Sequence, residues 1–219
     1  MKLVTQAMIF AAQKHDGAVR KASNIPYILH PMEAAAVAAT ITDDQEVLAA
    51  TVLHDVMEDC GVSYEELLAR FGARVADLVQ ADSHNQGAFA NATWDARKRE
   101  AVRKLAQASR ELLLIVLSDK LSNIRAIHRD YLLDGDAMFL RFNQTDKRRQ
   151  AWYYRSCVAL TREAYGHTAA WQELNGLVEA VFSDTPSLLP ENGEGAEQPP
   201  AECPVSPLTD GGKTGIISY

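Results

Sequence analysis

Cysteine is scarce: Cys60, Cys157 and Cys203 are the only three in 219 residues. They are too few and too scattered for a disulfide framework or a zinc cluster, and reduced thiols in a cytoplasmic protein are the expectation. No stretch approaches 18 uninterrupted apolar residues, so a membrane-spanning helix is excluded. The N-terminal run MKLVTQAMIFAAQKHD soon turns charged and lacks a small-residue cleavage site, which argues against a secretory signal. A large positive excess is also missing. The formal net charge is −7, and from Ser183 onward six acids and one base carry −5 of it, leaving −2 for residues 1–182. Such a body is not built to bind DNA or RNA. Neither G-x-G-x-x-G nor G-x-x-x-x-G-K-[ST] occurs, so Rossmann and P-loop readings fail.

Proline and glycine are rare before residue 183, since six of the eight prolines and five of the twelve glycines follow it. The stretch from 183 to 219 cannot bury much apolar area and is expected to be an acidic, disordered tail. Residues 1–182 show no internal repeat and no linker, so they are expected to form one domain. Within them the periodicity is helical almost throughout, and strand-and-turn alternation is absent, so the predicted class is all-α. An amphipathic helix is expected over 3–15, a second from Pro31 through Ile41, and a central buried one over 45–60, where QEVLAATVLHDVMEDC is apolar on nearly every side. Ser63 and Glu66 form a capping box that opens SYEELLARF, and Gly72 ends that helix. A short helix over 74–80, a polar loop over 81–92 and a basic surface helix over 94–108 follow. The run LLLIVL at 112–117 has strand composition, but its continuation to Tyr131 without a turn signal favours a helix over 111–131. Helices over 144–165 and 168–182 complete the chain.

The helix over 45–60 carries a conflict. His54, Asp55, Glu58 and Asp59 fall at about 0, 100, 40 and 140 degrees on a helical wheel, on one side. As solvated charges they would need an exposed face, which Val47, Leu48, Val52, Leu53 and Val56 hardly leave. An apolar helix tolerates three carboxylates and an imidazole when they are paired or bind metal. Asp119 follows LLLIVLS directly, and Asn123 lies one turn later; taken alone they fit a helix emerging into solvent. His30 precedes Pro31, where a lone histidine could equally be a cap or a packed ring. Together His30, His54, Asp55 and Asp119 supply two imidazoles and two carboxylates from three helices. That mixed set suits one divalent ion that retains water, such as Mn²⁺, better than a closed zinc site. Arg20 and Lys21 stand in a polar loop that leads into His30, and two cations so close to a metal ligand fit phosphate recognition, although a solvated basic turn has the same composition. Arg97, Lys98, Arg99, Arg103 and Lys104 are expected to form a solvated helix face.

The series AAQKHDGAVRKASNIPYILHP, VLHDVMED, FGARVADLV and LSDKLSNIRAI resembles, in order and over about residues 5–131, the hydrolase domain of RelA/SpoT-type proteins. It is most similar to the stand-alone small alarmone hydrolases of the HD superfamily, the metazoan SpoT-homologue type included. RFNQTDKRRQAWYYRSCVAL is similar to the C-terminal helical part of bacterial stand-alone members. The resemblance implies an HD-domain helical bundle and an Mn²⁺-dependent 3′-pyrophosphohydrolase that turns (p)ppGpp, or its adenosine counterpart (pp)pApp, into a nucleotide and pyrophosphate. By position His30, His54, Asp55 and Asp119 match the metal ligands, and Glu58 and Asp59 the acidic pair that orients or activates water. Arg20, Lys21 and Ser23 match the loop that contacts the nucleotide, and Asn123 a polar residue near base and ribose. Gln80, Ala81, Asp82, Ser83 and His84 stand where the family usually has a Val-Thr pair followed by acidic and lysine residues, which leaves the guanosine or adenosine preference open. Two other readings also stay open: another HD-type nucleotide phosphohydrolase, and a non-catalytic module that binds a nucleotide or neutralises a cognate alarmone synthetase. Homo-oligomerisation is likewise undecided.

Overall fold

The computed structural model describes residues 1–21, 23–83 and 92–188. Most of the loop expected at 81–92, and all but the first six residues of the expected tail, lie outside them. Among the described residues every regular element is helical, and extended pairing is limited to one antiparallel bridge between Val19 and Pro26. The all-α expectation holds.

Two apolar helices form the axis of the core. Helix α3 (Gln45–Leu53) begins at Asp44, whose carboxylate accepts from the amides of Glu46 and Val47, and every residue from Val47 to Leu53 is buried. It packs against α1 (Leu3–Lys14), α2 (Leu29–Ala38) and α6 (Ala73–Asp82). Helix α8 (Arg110–Asp134) starts at Ser109, whose hydroxyl accepts from the amide of Leu112. The run 112–117 is its first buried stretch, so continuity without a turn signal outweighed strand composition. It packs against α2, α3, α9 (Lys147–Tyr165) and α10 (Ala169–Phe182). These contacts bring the start of α2, the end of α3 and the middle of α8 to one place.

The single helix expected over 45–60 is two helices. Helix α3 ends at Leu53, and one turn, α4 (Val56–Asp59), starts afresh. Neither proline nor glycine marks the break, and Asp55 sits at φ −93°, ψ −9°. The His54 ring instead bonds the Thr51 carbonyl, with Nδ1 and the oxygen 2.8 Å apart. An uninterrupted helix would offer that oxygen to the Asp55 amide. The wheel angles therefore do not carry across residues 54 and 55.

Smaller departures have local causes. Ser63 caps α5 (Tyr64–Phe71) as expected, but the Glu66 carboxylate closes no box and instead receives Lys14 Nζ at 3.3 Å. Gly72, at φ +86°, turns α5 directly into α6, a conformation that a side chain would strain. Helix α6 runs on to Asp82, because the polar stretch Gln80–Asp82 is its last turn and not the start of a loop. Helix α7 (Trp94–Leu105) begins at Thr93. A 3₁₀ segment (Gly135–Arg141) joins α8 to α9. Packing also continues past the expected boundary at 182. Arg155 donates to the carbonyls of Phe182 and Thr185 at 2.7 and 2.8 Å, and the Leu188 amide donates to the Arg148 carbonyl at 3.2 Å.

Candidate metal centre and cleft

His30, in the first turn of α2, is 2% exposed, and so is His54 at the end of α3. Asp55 opens α4, and Asp119 lies in the middle of α8. Packing of α2, α3 and α8 brings all four together. His54 Nε2 lies 3.0 Å from Asp55 Oδ2 and 3.7 Å from Asp119 Oδ1; His30 Nε2 lies 3.5 Å and 3.2 Å from the same two oxygens. His30, His54 and Asp55 each offer a ligand atom within 4.8 Å of the others.

The far side of each ring fixes which nitrogen faces the centre. A carbonyl accepts only, so His54 Nδ1 must donate to Thr51, and the neutral ring then has a lone pair at Nε2. That Nε2 is buried and has no hydrogen-bond partner among the described residues. Lone pairs of two imidazoles thus face lone pairs of two carboxylates, an arrangement that a cation must satisfy. Without one, a proton does so. Burial opposes a charge on His54, but Asp55 and Asp119 outweigh it and raise the pKa well above the ordinary histidine value. Burial likewise opposes ionisation of Asp119, yet Lys120 and the two imidazoles hold its carboxyl well below the usual range. Two nitrogen and two oxygen donors around an orphaned buried nitrogen fit a divalent metal that keeps further positions for water.

Neighbours brace the carboxylates. Tyr27, 4% exposed, donates its hydroxyl to Asp55 Oδ2 at 2.6 Å. Asn123 Nδ2 donates to Asp119 Oδ1 at 2.6 Å, and Lys120 Nζ pairs with Asp119 Oδ2. The site opens into a cleft lined also by Glu58, Asp82, Lys98 and Tyr153. A neighbouring pocket shares Lys98, Lys120, Asn123 and Tyr153 with it and adds Trp94 and Phe142.

Not every expected residue reaches the cleft. Glu58 lines it; Asp59 does not. The Asp59 carboxyl is pushed up to about 8 by burial and by the charges of Asp55 and Glu58. Arg20 is 5% exposed and donates to Asn123 Oδ1 at 2.8 Å, so Arg20, Asn123 and Asp119 form a chain. Lys21 donates to Asn143. Ser23 braces its own loop, donating to the Arg20 carbonyl at 3.2 Å and accepting from the Ile25 amide at 3.3 Å. His84 falls outside the described residues.

The expectation of a solvated basic face on α7 is corrected at Lys98. Its ammonium lies 4.4 Å from the centre of the Tyr153 ring, inside the cleft, and burial pushes its pKa down to about 8. Arg103 fits the expectation, being well exposed and paired with Glu100 one turn away. The sequence singles out neither Tyr27, Lys120 nor Tyr153, marks Asp82 only as a departure from the family pattern, and assigns Lys98 to a solvated face. For Lys120 a signal existed in its place beside Asp119; for Tyr153 there was none.

A family model described as HD domain matches residues 7–133. A guanosine-3′,5′-bis(diphosphate) 3′-pyrophosphohydrolase of Aquifex aeolicus is 35% identical over 127 residues, which cover 57% of this chain and 18% of that protein. The bifunctional (p)ppGpp synthase/hydrolase SpoT of Escherichia coli is 34% identical over 130 residues, again 18% of its length. The chain thus spans less than a fifth of these curated relatives. Among solved structures, a metazoan orthologue of SpoT described as hydrolysing ppGpp superposes with a TM-score of 0.67 at 23% identity, covering 82% of this chain and 96% of the other. The Listeria monocytogenes protein lmo0812 gives 0.61 at 24%, covering 70% and 99%. At such identities these two speak for the fold. The resemblance read from the motifs is borne out, and because the matched segment takes in more than half of the sequence and all four converging side chains, the chain belongs to the HD domain family.

Proposed function

We propose that the chain is a divalent-metal-dependent 3′-pyrophosphohydrolase of alarmone nucleotides, (p)ppGpp or (pp)pApp, with Mn²⁺ as the ion. The observation that carries this reading is the convergence of His30, His54, Asp55 and Asp119 around a buried nitrogen that has no hydrogen-bond partner among the described residues, at the head of a cleft that also holds Lys98 and Lys120. The Aquifex and E. coli relatives, which bear the names of such activities, support the choice of substrate. Neither described cysteine is in a disulfide, which supports a reducing, cytoplasmic setting.

His30, His54, Asp55 and Asp119 would hold the ion. When bound, it supplies Lewis acidity, making a water more acidic and drawing charge from phosphoryl oxygens. Glu58, on the cleft wall, accepts the proton of the attacking water. The water oxygen bonds the phosphorus next to the 3′-oxygen, and the bond from that phosphorus to the 3′-oxygen breaks. The electron pair stays on the 3′-oxygen, which takes up a proton to become a hydroxyl, and pyrophosphate leaves. Lys98 offsets phosphate charge, and Lys120 holds Asp119 in register. Arg20 acts through Asn123 to orient Asp119, while Lys21 and Ser23 shape the loop over the nucleotide. Asp59 lies off the cleft wall and takes no direct step. Trp94, Phe142 and Tyr153 give the neighbouring cavity aromatic surface for the nucleoside.

Purified protein with Mn²⁺ should convert ppGpp to GDP and pyrophosphate, and pppApp to ATP and pyrophosphate only if adenine is accepted; chromatography of both reactions reads this directly. Undiminished turnover by Asp55→Ala overturns the assignment. Orthophosphate from a nucleoside 5′-monophosphate would point to the other HD-type phosphohydrolase reading.

A further inference from the structure

His30 differs from His54 in what holds its outer nitrogen. Its Nδ1 lies 2.9 Å from Ser122 Oγ, and both residues are buried. The single hydroxyl hydrogen of Ser122 goes to Glu33 Oε2 at 2.7 Å, since a carboxylate only accepts. The oxygen lone pair is then left to receive the Nδ1 hydrogen, so His30 turns an Nε2 lone pair toward the centre. Glu33 Oε1 in turn accepts from Arg125 Nη1 at 3.0 Å. Arg125 grips Glu173 with two further bonds, at 2.6 and 2.7 Å. Ser122 and Arg125 lie one turn apart on α8, Glu33 is one turn beyond His30 on α2, and Glu173 is on α10. The line therefore runs from the candidate metal centre through three helices to a partly exposed carboxylate. It leaves the segment matched by the family model, which ends at residue 133.

We propose that Ser122, Glu33, Arg125 and Glu173 form a relay of positioning residues that aims His30 at the cation, and that through it α10 sets the affinity of the centre for a divalent metal. The inference rests on reading His30 as a metal ligand, not on which nucleotide is hydrolysed. The relay fixes the tautomer of His30, and the negative charge of Glu33 makes the ring a stronger donor. Arg125 draws on that charge, and Glu173 satisfies Arg125 from the other side, leaving more of it to Glu33. An exposed ion pair contributes little to stability, so an effect on metal binding separates this role from a structural one.

The test uses the full chain, stripped with a chelator and titrated with Mn²⁺ by calorimetry and with Co²⁺ by its visible spectrum, without nucleotide. Glu33→Gln keeps shape and removes charge. It and Ser122→Ala should weaken Mn²⁺ binding tenfold to a hundredfold, and Glu173→Gln about threefold, with unfolding midpoints of the metal-free proteins unchanged for the two glutamate variants. Glu179→Gln, also on α10 but paired with Arg155, should bind as wild type does. Affinity within twofold of wild type in both Glu33→Gln and Ser122→Ala overturns the relay, as does an equal loss in Glu179→Gln. A wild-type chain that holds neither Mn²⁺ nor Co²⁺ overturns it together with the metal reading. A chain that binds metal through the relay but leaves ppGpp intact sinks the proposed function alone.

Discussion

Asp119→Asn should cost stability even where metal plays no part. In EDTA the substitution keeps the side-chain shape and removes the anion that pairs with Lys120. Both side chains are largely enclosed, at 9% and 12% exposure. Stranding one charge of a buried pair costs about 3–5 kcal/mol. Lys120 keeps the face of the Tyr153 ring, 5.4 Å from its centre, so the lower end, about 3 kcal/mol, is expected. For a domain of this size that is a fall in Tm of about 6–12 °C. Lys120→Met on the same background removes the stranded charge and should restore about 2 kcal/mol, whereas on the wild-type background it takes the paired ammonium from Asp119, leaving the imidazoles and Asn123, and destabilises. Thermal unfolding of the four proteins, followed by circular dichroism, completes the cycle. A fall of less than 2 °C for Asp119→Asn, on the order of 1 kcal/mol or below, or strictly additive effects of the two substitutions, would refute the claim that these groups sustain each other.

Three further outcomes are expected. Burial pushes Lys98 down to about 8, so its charge is present below that pH and lost above it; KM for a pyrophosphorylated nucleotide should climb from pH 7 to 9.5 in the wild type and stay flatter in Lys98→Arg, as steady-state kinetics across pH will report. Tyr27→Phe removes the 2.6 Å bond to Asp55 Oδ2 and should lower stability in EDTA by about 2 kcal/mol, measured by urea unfolding. A chain cut after residue 182 loses the partners of Arg155 at Thr185 and Ser187 and the Leu188 bond to Arg148; it should unfold about 2 kcal/mol more easily than one cut after 188, and equal midpoints would return the boundary to 182.

Much of this arrangement is legible in the sequence. Ser63 announces a helix start because an unpaired amide needs an oxygen close by. The apolar wrapping of 45–53 and 112–127 identifies the buried helices, and acids and imidazoles intruding on them mark the centre. What escaped has physical reasons too. The break at His54 and Asp55 is made by a side chain competing for a carbonyl, within ordinary right-handed backbone angles, so no turn residue signals it. Lys98 sits in a basic run that reads as one surface face, and the packing of α7 against α9 brings its ammonium over Tyr153. Ser23, Arg20 and Lys21 are close to the site in sequence, yet their donors are engaged within the loop, with Asn123 and with Asn143; spacing along a loop does not say where its side chains point.

The two imidazoles differ in how they can be changed. The acceptor behind His54 is a main-chain oxygen, the carbonyl of Thr51, and every amino acid brings that oxygen with it. No exchange at position 51 deletes it as long as α3 stays helical, so that ring is insured against point mutation. Selection or engineering that seeks to retune the centre will find its adjustable screw on the opposite ring.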